Sequence, residues 1–184
     1  MGQRYNEVKI GELENRVIFF DANILIYLFW TSGGKKQKEF EDKYATIFLK
    51  LLNQKNKLVV DFMIISEMVN RTIKMEYEKY LENRKLTKKE CSYKRYRNSL
   101  DGKNILADIY QIVGAKIIRN FEFIGKAFTR IDVQNFLAVD QLDFNDKGIV
   151  QICQEFNCVL LTNDGDFAAA NIDILTANNK LYTS

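Results

Sequence analysis

Histidine and proline are both absent from this chain. Without imidazole, the protein lacks the commonest general base, the usual partner of a catalytic serine or cysteine, and a preferred ligand of zinc. Any hydrolytic reaction would therefore depend on carboxylates, hydroxyls, lysines or a metal ion held by oxygen atoms. Because proline is the residue that most strongly breaks helices, its absence makes long helices compatible with this sequence.

Cysteine is scarce, and long apolar runs are missing. Cys91, Cys153 and Cys158 match no zinc-binding spacing, and their odd number without a secretory segment favours reduced thiols in a cytoplasm. The first residues are polar and charged, and no apolar stretch approaches the roughly 20 residues that span a bilayer. We therefore expect a cytoplasmic protein that does not enter a membrane.

Length and composition predict one folded domain over residues 1–184. Apolar residues make up 47% of the 184 positions, enough for a substantial core. The net charge is only +3, so the total charge does not by itself indicate a nucleic-acid partner. Only local clusters of positive charge could indicate such a partner.

The most informative stretch begins with the unbroken apolar run at residues 17–20 (Val-Ile-Phe-Phe), which ends at Asp21. Such a run without alternation is typical of a strand buried on both faces, as in parallel sheets. Ligands of open α/β sheets bind outside the carboxyl ends of the strands, so Asp21 is a candidate metal ligand. Alternatively, Asp21 or Asn23 caps the helix that follows.

A second apolar strand, at residues 159–162, also runs into acids, at Asp164 and Asp166. Two strands that deliver carboxylates to one sheet edge favour a metal site over simple capping. A third acid, Asp146, stands at the start of a predicted helix, where it is either an N-cap or a ligand. Asp143, three residues earlier, is an alternative ligand or a partner that supports one.

A fourth acid, Glu67, follows the predicted strand at residues 58–60. Ser66 is a predicted helix N-cap, and Glu67 would lie in the first turn of that helix, where a negative charge suits the helix dipole. Either this is the whole role of Glu67, or its carboxylate shares an edge with Asp21. Asp61 is a rival acid at the same place.

These motifs resemble those of the PIN domain, a family of metal-dependent nucleases that includes many VapC-type toxins of toxin–antitoxin pairs. The likeness covers roughly residues 15–80 and 135–178 and rests on four segments: Asp21-Ala-Asn-Ile-Leu-Ile, Ser66-Glu67, Asp146 before an apolar helix, and Thr162-Asn-Asp164-Gly-Asp166-Phe167. It implies a three-layer α/β/α fold around a mostly parallel sheet of four to five strands. It further implies that Asp21, Asp146 and Asp164 hold a metal and that Glu67 completes the catalytic site. Asn23, Thr162, Asp166 and Asp143 would then keep these ligands in position.

Carboxylates that face one pocket repel one another, and a hard divalent cation relieves that repulsion. Mg²⁺ or Mn²⁺ suits oxygen ligands, whereas zinc normally requires histidine or cysteine. Together with the resemblance to the PIN domain, this chemistry predicts a ribonuclease that hydrolyses RNA phosphodiester bonds through one or two such ions. The resemblance adds a small antitoxin and a homodimer as expected partners. The alternatives are a non-catalytic PIN-like RNA-binding module and, more remotely, a haloacid-dehalogenase-like phosphatase, in which an Asp would be needed at the position of Asn23.

Composition changes at residues 82–104, which we interpret as a basic insertion or an extended helical hairpin within the domain. Two tyrosines, Tyr93 and Tyr96, lie among the cationic residues. Cations with interleaved rings suit contact with a nucleic-acid backbone and stacking on bases; the alternative is an exposed insertion without this role. The candidate RNA-binding residues are Arg84, Lys88, Lys89, Lys94, Arg95 and Arg97.

Three further segments carry weaker predictions. Residues 1–15 are expected to form a loosely ordered lead-in, and residues 131–139 a connection with some apolar anchors. Gly33 and Gly34 are expected to end the first helix, because glycine readily adopts the left-handed conformation that closes one.

Overall fold

A computed structural model of the protein describes residues 2–30 and 35–183. Within these ranges, six strands form a single sheet in the order β1-β6-β5-β2-β3-β4, and neighbouring strands are parallel throughout. The strands are β1 (Arg4–Tyr5), β2 (Val17–Phe20), β3 (Lys57–Val60), β4 (Glu122–Phe123), β5 (Val159–Leu161) and β6 (Asp173–Leu175). Helices flank this sheet, so the predicted α/β/α fold is confirmed, with one or two strands more than expected.

The helices in the described ranges differ widely in length. They are α1 (Ala22–Phe29), α2 (Lys35–Asn53), α3 (Phe62–Arg84), α4 (Tyr93–Asn98), α5 (Leu100–Ile112), α6 (Arg130–Phe136), α7 (Phe144–Glu155) and α8 (Asn179–Tyr182). A π-helical segment, Val113–Ile118, continues α5. None of these helices is both long and apolar enough to cross a membrane.

The three central strands are buried on both faces, as their unbroken apolar runs predict. In β2, the side chains of Ile18, Phe19 and Phe20 are fully buried, and all of β5 is buried as well. Each Å² of apolar surface that is removed from water stabilises the fold by about 25 cal/mol. The central sheet is therefore a rigid support for the polar residues at its carboxyl edge.

The prediction of a loose lead-in at residues 1–15 is wrong. Residues 4–5 pair with β6, and Leu13 is fully buried. The guanidinium of Arg4 also donates hydrogen bonds to the carbonyls of Ile172, Ala168 and Ala170, at 2.8, 3.0 and 3.0 Å. A strand of two residues is too short to show a hydrophobic period, so these long-range contacts leave no local signal.

Residues 131–139 are also more regular than predicted. The segment begins in α6, whose N-terminus carries a capping box between Thr129 and Asp132. Its apolar residues are largely exposed, so the amphipathic period that marks a buried helix is missing. The predicted helix end at Gly33 and Gly34 lies outside the described residues.

Residues 82–104 form the end of α3, all of α4 and the start of α5. These helices enclose a second apolar cluster, in which the hydroxyl of Tyr77 donates a 2.7 Å hydrogen bond to the carbonyl of Cys91. Tyr96 is only 2% exposed, and Tyr93 packs edge-on against Tyr77. Both tyrosines therefore help to hold the helices together. The buried ring of Tyr96 cannot stack on a nucleic-acid base, whereas Tyr93 is half-buried, and its contact with RNA stays a prediction.

The contact between α4 and α5 depends on Gly102. A Cβ atom at this position would lie 2.2 Å from the carbonyl oxygen of Tyr96 and 2.9 Å from Cα of Arg97. We predict that Gly102→Ala lowers the free energy of unfolding by about 1–3 kcal/mol, because the clash is with backbone that cannot move away freely. Urea denaturation at constant pH measures this change.

Gly114→Ala is the matched control, because no heavy atom lies within 4 Å of an added Cβ there. This substitution should leave stability unchanged or raise it by up to about 1 kcal/mol, since alanine favours helix more than glycine does. Equal stabilities of the two variants would contradict the close contact of α4 with α5.

Candidate metal centre

The candidate site lies at the carboxyl edge of the sheet, where β2 has β5 on one side and β3 on the other. From β2 the chain first continues to β3 and reaches β5 only much later, so the strand order reverses at β2. Ligands of open α/β sheets bind at such a switch point. Each of these strands ends in a buried polar residue: Asp21 follows β2, Asp61 follows β3 and Thr162 follows β5.

Asp21 is the most constrained of these residues, being only 5% exposed. Its Oδ1 accepts a 2.6 Å hydrogen bond from the backbone N–H of Ala22, which caps α1. Its Oδ2 accepts hydrogen bonds from the hydroxyl of Thr162 at 2.6 Å and from the amide of Asn23 at 2.5 Å. The capping role predicted as an alternative is thus real, and it fixes the orientation of the carboxylate at the switch point.

Burial raises the pKa of Asp21 to about 6, although the hydrogen bond from Thr162 acts in the opposite direction. The negative charges of Glu67 and Asp164 also raise this pKa. Glu67 and Asp164 therefore lie close enough to Asp21 for their charges to act on it. A carboxylate buried among like charges is costly to ionise unless a cation compensates it.

Asp164 and Asp166 follow β5 in the turn that leads into the short 3₁₀ helix Gly165–Ala169. The hydroxyl of Thr162 accepts a 3.0 Å hydrogen bond from the backbone N–H of Asp164, and Oδ1 of Asp164 accepts one of 3.0 Å from the backbone N–H of Asp166. The side chain of Asp166 is exposed, so its contact with Asp164 is made by its backbone.

Asp143 and Asp146 begin α7 as a reciprocal capping box. Oδ1 of Asp143 accepts a 2.8 Å hydrogen bond from the N–H of Asp146, and Oδ2 of Asp146 accepts one of 3.3 Å in return. The pKa of Asp146 is raised to about 6, first by burial, then by Asp143, and also by Asp164 and Asp21. Asp146 therefore interacts with the acids of the sheet edge, whereas the Asp143 side chain is exposed.

The prediction that Ser66 caps a helix is wrong. Helix α3 begins four residues earlier, at Phe62, and Oδ1 of Asp61 caps it by accepting a 2.8 Å hydrogen bond from the N–H of Ile64. With no proline or glycine between the strand and Ser66, the chain enters the helix directly. Glu67 consequently lies in the second turn, where it pairs with Arg71 at 3.1 Å.

Asp61, the rival acid, is buried and occupied by this cap. Its pKa is raised by burial, against the lowering effect of its backbone hydrogen bonds, and the charge of Glu67 raises it further. The carboxylate of Asp61 therefore caps α3, and it interacts with the acidic edge only through the charge of Glu67.

The acids share one edge, but they do not form a closed ligand shell. In residues 2–30 and 35–183, no group of three or more acidic or cysteine side chains is close enough to enclose a metal ion. The oxygen donors fit Mg²⁺ or Mn²⁺, because Mg²⁺ keeps several waters and usually takes one or two protein carboxylates. They do not fit zinc, since the three cysteines are buried elsewhere as free thiols.

Arg84, one of the predicted RNA-binding residues, lies far from these acids. An α-helix rises about 1.5 Å per residue, so Arg84 is on the order of 25 Å beyond Glu67 along α3. Arg84 pairs with Asp101 at 3.2 Å and lies over the ring of Tyr80, and Arg95 donates to the carbonyl of Glu90. The other four predicted residues, Lys88, Lys89, Lys94 and Arg97, are exposed on the same helical unit.

Asn163 is a site residue that sequence analysis missed. Its backbone N–H donates to Oδ1 of Asn23 at 3.2 Å, and its side chain accepts a 2.9 Å hydrogen bond from the hydroxyl of Tyr44. Tyr44 is fully buried, and burial raises its pKa. Its position on the apolar face of α2 predicts only packing, so nothing in the local sequence indicates that its hydroxyl anchors the turn after β5.

Comparison with solved structures supports the fold assignment. The fold is similar to that of a chain in the crystal structure of VapBC2 from Rickettsia felis bound to a DNA fragment from their promoter. The match has a TM-score of 0.50 and 14% identity, and it covers 87% of this chain and 98% of that one. Identity this low shows a shared fold alone. No protein-family model matches the chain, and no curated protein is significantly similar to it in sequence.

The raised pKa of Asp21 predicts that metal-free protein loses stability as the pH rises from about 4 to about 6. Since the folded state holds the Asp21 proton up to a pKa of about 6, against 3.8 for an ordinary aspartate, folding favours the protonated form. The part of the loss that comes from Asp21 should be on the order of 3 kcal/mol at most and should level off above that window. Asp146, whose pKa is also raised to about 6, adds to the loss over the same window. Denaturation in EDTA at several pH values measures it.

Asp21→Asn should remove this pH-dependent contribution, because an amide does not ionise. The new amide nitrogen would face the donor groups of Ala22 or Asn23, so the variant should be less stable by an amount that does not change with pH. Asp108→Asn, at an exposed position on α5, is the control and should follow the wild-type profile. Parallel pH profiles for wild type and Asp21→Asn would show that Asp21 has an ordinary pKa in the folded protein.

Proposed function

We propose that this protein is a metal-dependent ribonuclease that hydrolyses RNA phosphodiester bonds, with Mg²⁺ or Mn²⁺ as its cofactor. One observation carries the proposal: the Asp21 carboxylate is buried at the switch point of a parallel sheet, where Thr162 and Asn23 hold it and where the Thr162 hydroxyl also accepts from the backbone N–H of Asp164. The raised pKa values of Asp21 and Asp146 agree with it. The resemblance of the sequence motifs to the PIN domain and the fold shared with a chain of the VapBC2 structure support it.

In this proposal Asp21, Asp146 and Asp164 hold the cation, and Glu67 contributes directly or through a water. A cation in such a site lowers the pKa of a bound water and stabilises negative charge on the phosphate. Thr162 and Asn23 keep the Asp21 carboxylate oriented, and the backbone N–H of Asp143 does the same for the Asp146 carboxylate within the capping box. Glu67, half-buried beside them, is placed to orient or deprotonate the attacking water.

We further propose that the protein is the toxin of a toxin–antitoxin pair. Support comes from the VapC-type motifs and from the similar structure, which is that of a VapBC2 complex. A small antitoxin would block the acidic edge, for instance by placing an Arg against the carboxylates. We also expect a homodimer, as the resemblance implies.

A non-catalytic RNA-binding module is the second candidate. It is favoured by the spacing of the acids, since no three of those in the described ranges form a closed metal site. The phosphatase alternative is less well supported, because Asn23, at the place where that family needs an acid, is an amide that donates to Asp21.

We predict that Asp21→Asn and Asp146→Asn each reduce Mn²⁺-dependent cleavage of a mixed RNA pool by at least about 100-fold while the fold remains intact. The reason is that each substitution removes a charged ligand, and the loss of metal-activated water affects the transition state directly. Cleavage is measured by gel electrophoresis of the products, and folding by circular dichroism.

Asp108→Asn again serves as the control and should cleave like the wild type. Full activity of either active-site variant would refute the metal assignment. Binding of RNA by the wild type without cleavage, in both Mg²⁺ and Mn²⁺, would favour the binding module instead.

A further inference from the structure

A cavity of about 400 Å³ opens beside the acidic edge, between helices α1, α2 and α3. This volume is within the range of small-molecule sites, about 300–1,000 Å³. Its apolar lining comes from Ile26, Phe40 and Met75, and its polar lining from Asn23, Tyr27, Gln37 and Arg71. The cavity thus combines an apolar surface with a few hydrogen-bonding groups, the usual composition of a ligand site.

Asn23 connects the cavity with the proposed metal centre. Its amide nitrogen donates to Asp21 at 2.5 Å and faces the hydroxyl of Thr162 at 3.4 Å, while its Oδ1 accepts the backbone N–H of Asn163. Since Asn23 is held on both sides, the wall that it forms is fixed. A ligand in the cavity would therefore lie next to the acids rather than at a separate surface.

Arg71 gives the cavity a positive charge. Its Nη1 donates to Glu67 at 3.1 Å, and its guanidinium has five N–H donors, more than one carboxylate oxygen can use. No acid is among the described residues that line the cavity. An anionic group is consequently favoured here over a cationic one, and arginine binds phosphate through paired hydrogen bonds.

The aromatic side of the cavity is rigid. The ring of Tyr27 stacks on Tyr44 with centroids 5.6 Å apart and on Phe40 with centroids 5.7 Å apart. Tyr27 also faces the amide of Asn163 through its hydroxyl, at 3.4 Å. A flat ligand with polar edges would find apolar contact with Phe40 and Met75 and hydrogen-bonding partners in Tyr27 and Gln37.

From these features we infer that the cavity binds one nucleotide of the RNA chain, directly beside the bond to be cleaved. The base lies against Phe40 and Met75, its polar edge meets Gln37 and Tyr27, and Arg71 contacts its phosphate. The inference rests on the proposed ribonuclease function, to which it adds a source of sequence preference. The phosphate of a bound nucleotide would also draw Arg71 away from Glu67.

The first test is binding of the four nucleoside 5′-monophosphates in EDTA, measured by isothermal titration calorimetry. We expect the wild type to bind one of them at least about tenfold more tightly than the others, because a base edge that is not matched leaves buried polar groups unpaired. Met75→Trp, which fills the cavity, should abolish this binding. Arg71→Gln should weaken it by about tenfold through loss of the phosphate contact.

Leu49→Trp is the matched control, since Leu49 is 61% exposed on α2 and adds the same ring outside the cavity. It should bind nucleotides like the wild type. If none of the four monophosphates binds to the wild type, or if Met75→Trp and Arg71→Gln bind them unchanged, the inference is wrong.

The second test is the pattern of cleavage in a mixed RNA pool. Met75→Trp should raise KM more than it lowers kcat, and it should reduce the preference for the nucleotide next to the cleaved bond. A wild type that cuts RNA, together with a Met75→Trp variant of unchanged KM and unchanged cleavage sites, would overturn the cavity assignment alone. Nucleotide binding that Met75→Trp abolishes, in a protein that cuts no RNA, would overturn the ribonuclease and leave the cavity a nucleotide site.

Discussion

The hydrogen bonds that hold the buried carboxylate of Asp21 are the interaction on which the rest of the site depends. They join two parts of the chain: the first turn of α1, through Ala22 and Asn23, and the end of β5, through Thr162. The same Thr162 hydroxyl accepts from the backbone of Asp164, so one short network sets the position of two acids. Parallel pairing of β2 with β5 is what brings these segments together.

Ionisation of the acids at this edge lowers the stability of the fold, but the proposed metal binding requires it. Burial and neighbouring negative charge make ionised Asp21 and Asp146 costly, yet both must be ionised to hold a cation. A bound divalent ion would reverse that cost and thereby stabilise the fold. The fully buried strands β2 and β5 supply the rigidity that such an unfavourable group requires. In Asp21 the observed capping of α1 and the proposed metal binding therefore fall on one carboxylate.

Much of the fold could be predicted from sequence, because the central strands are unbroken apolar runs and Asp21 and Asp164 follow them directly. The edge strands β1 and β4 have two residues each, too few for any period. The sequence predicts Glu67 in the first turn of α3, whereas the structure has it in the second. The reason is that both Asp61 and Ser66 can cap a helix, and only tertiary structure decides between them. The inward packing of Tyr96 and the cavity beside Asn23 arise from contacts between distant segments, which single-sequence patterns do not contain.

The central claim is that acids from distant segments meet around one hard cation at the switch point of the sheet. Crystals grown with Mn²⁺ test it most directly, because anomalous scattering locates manganese independently of the protein. We expect an anomalous peak in contact with carboxylate oxygens of Asp21 and Asp146, with Asp164 or Glu67 bound directly or through water. Ordered carboxylates with no such peak at millimolar Mn²⁺, or a peak only elsewhere on the protein, would contradict it.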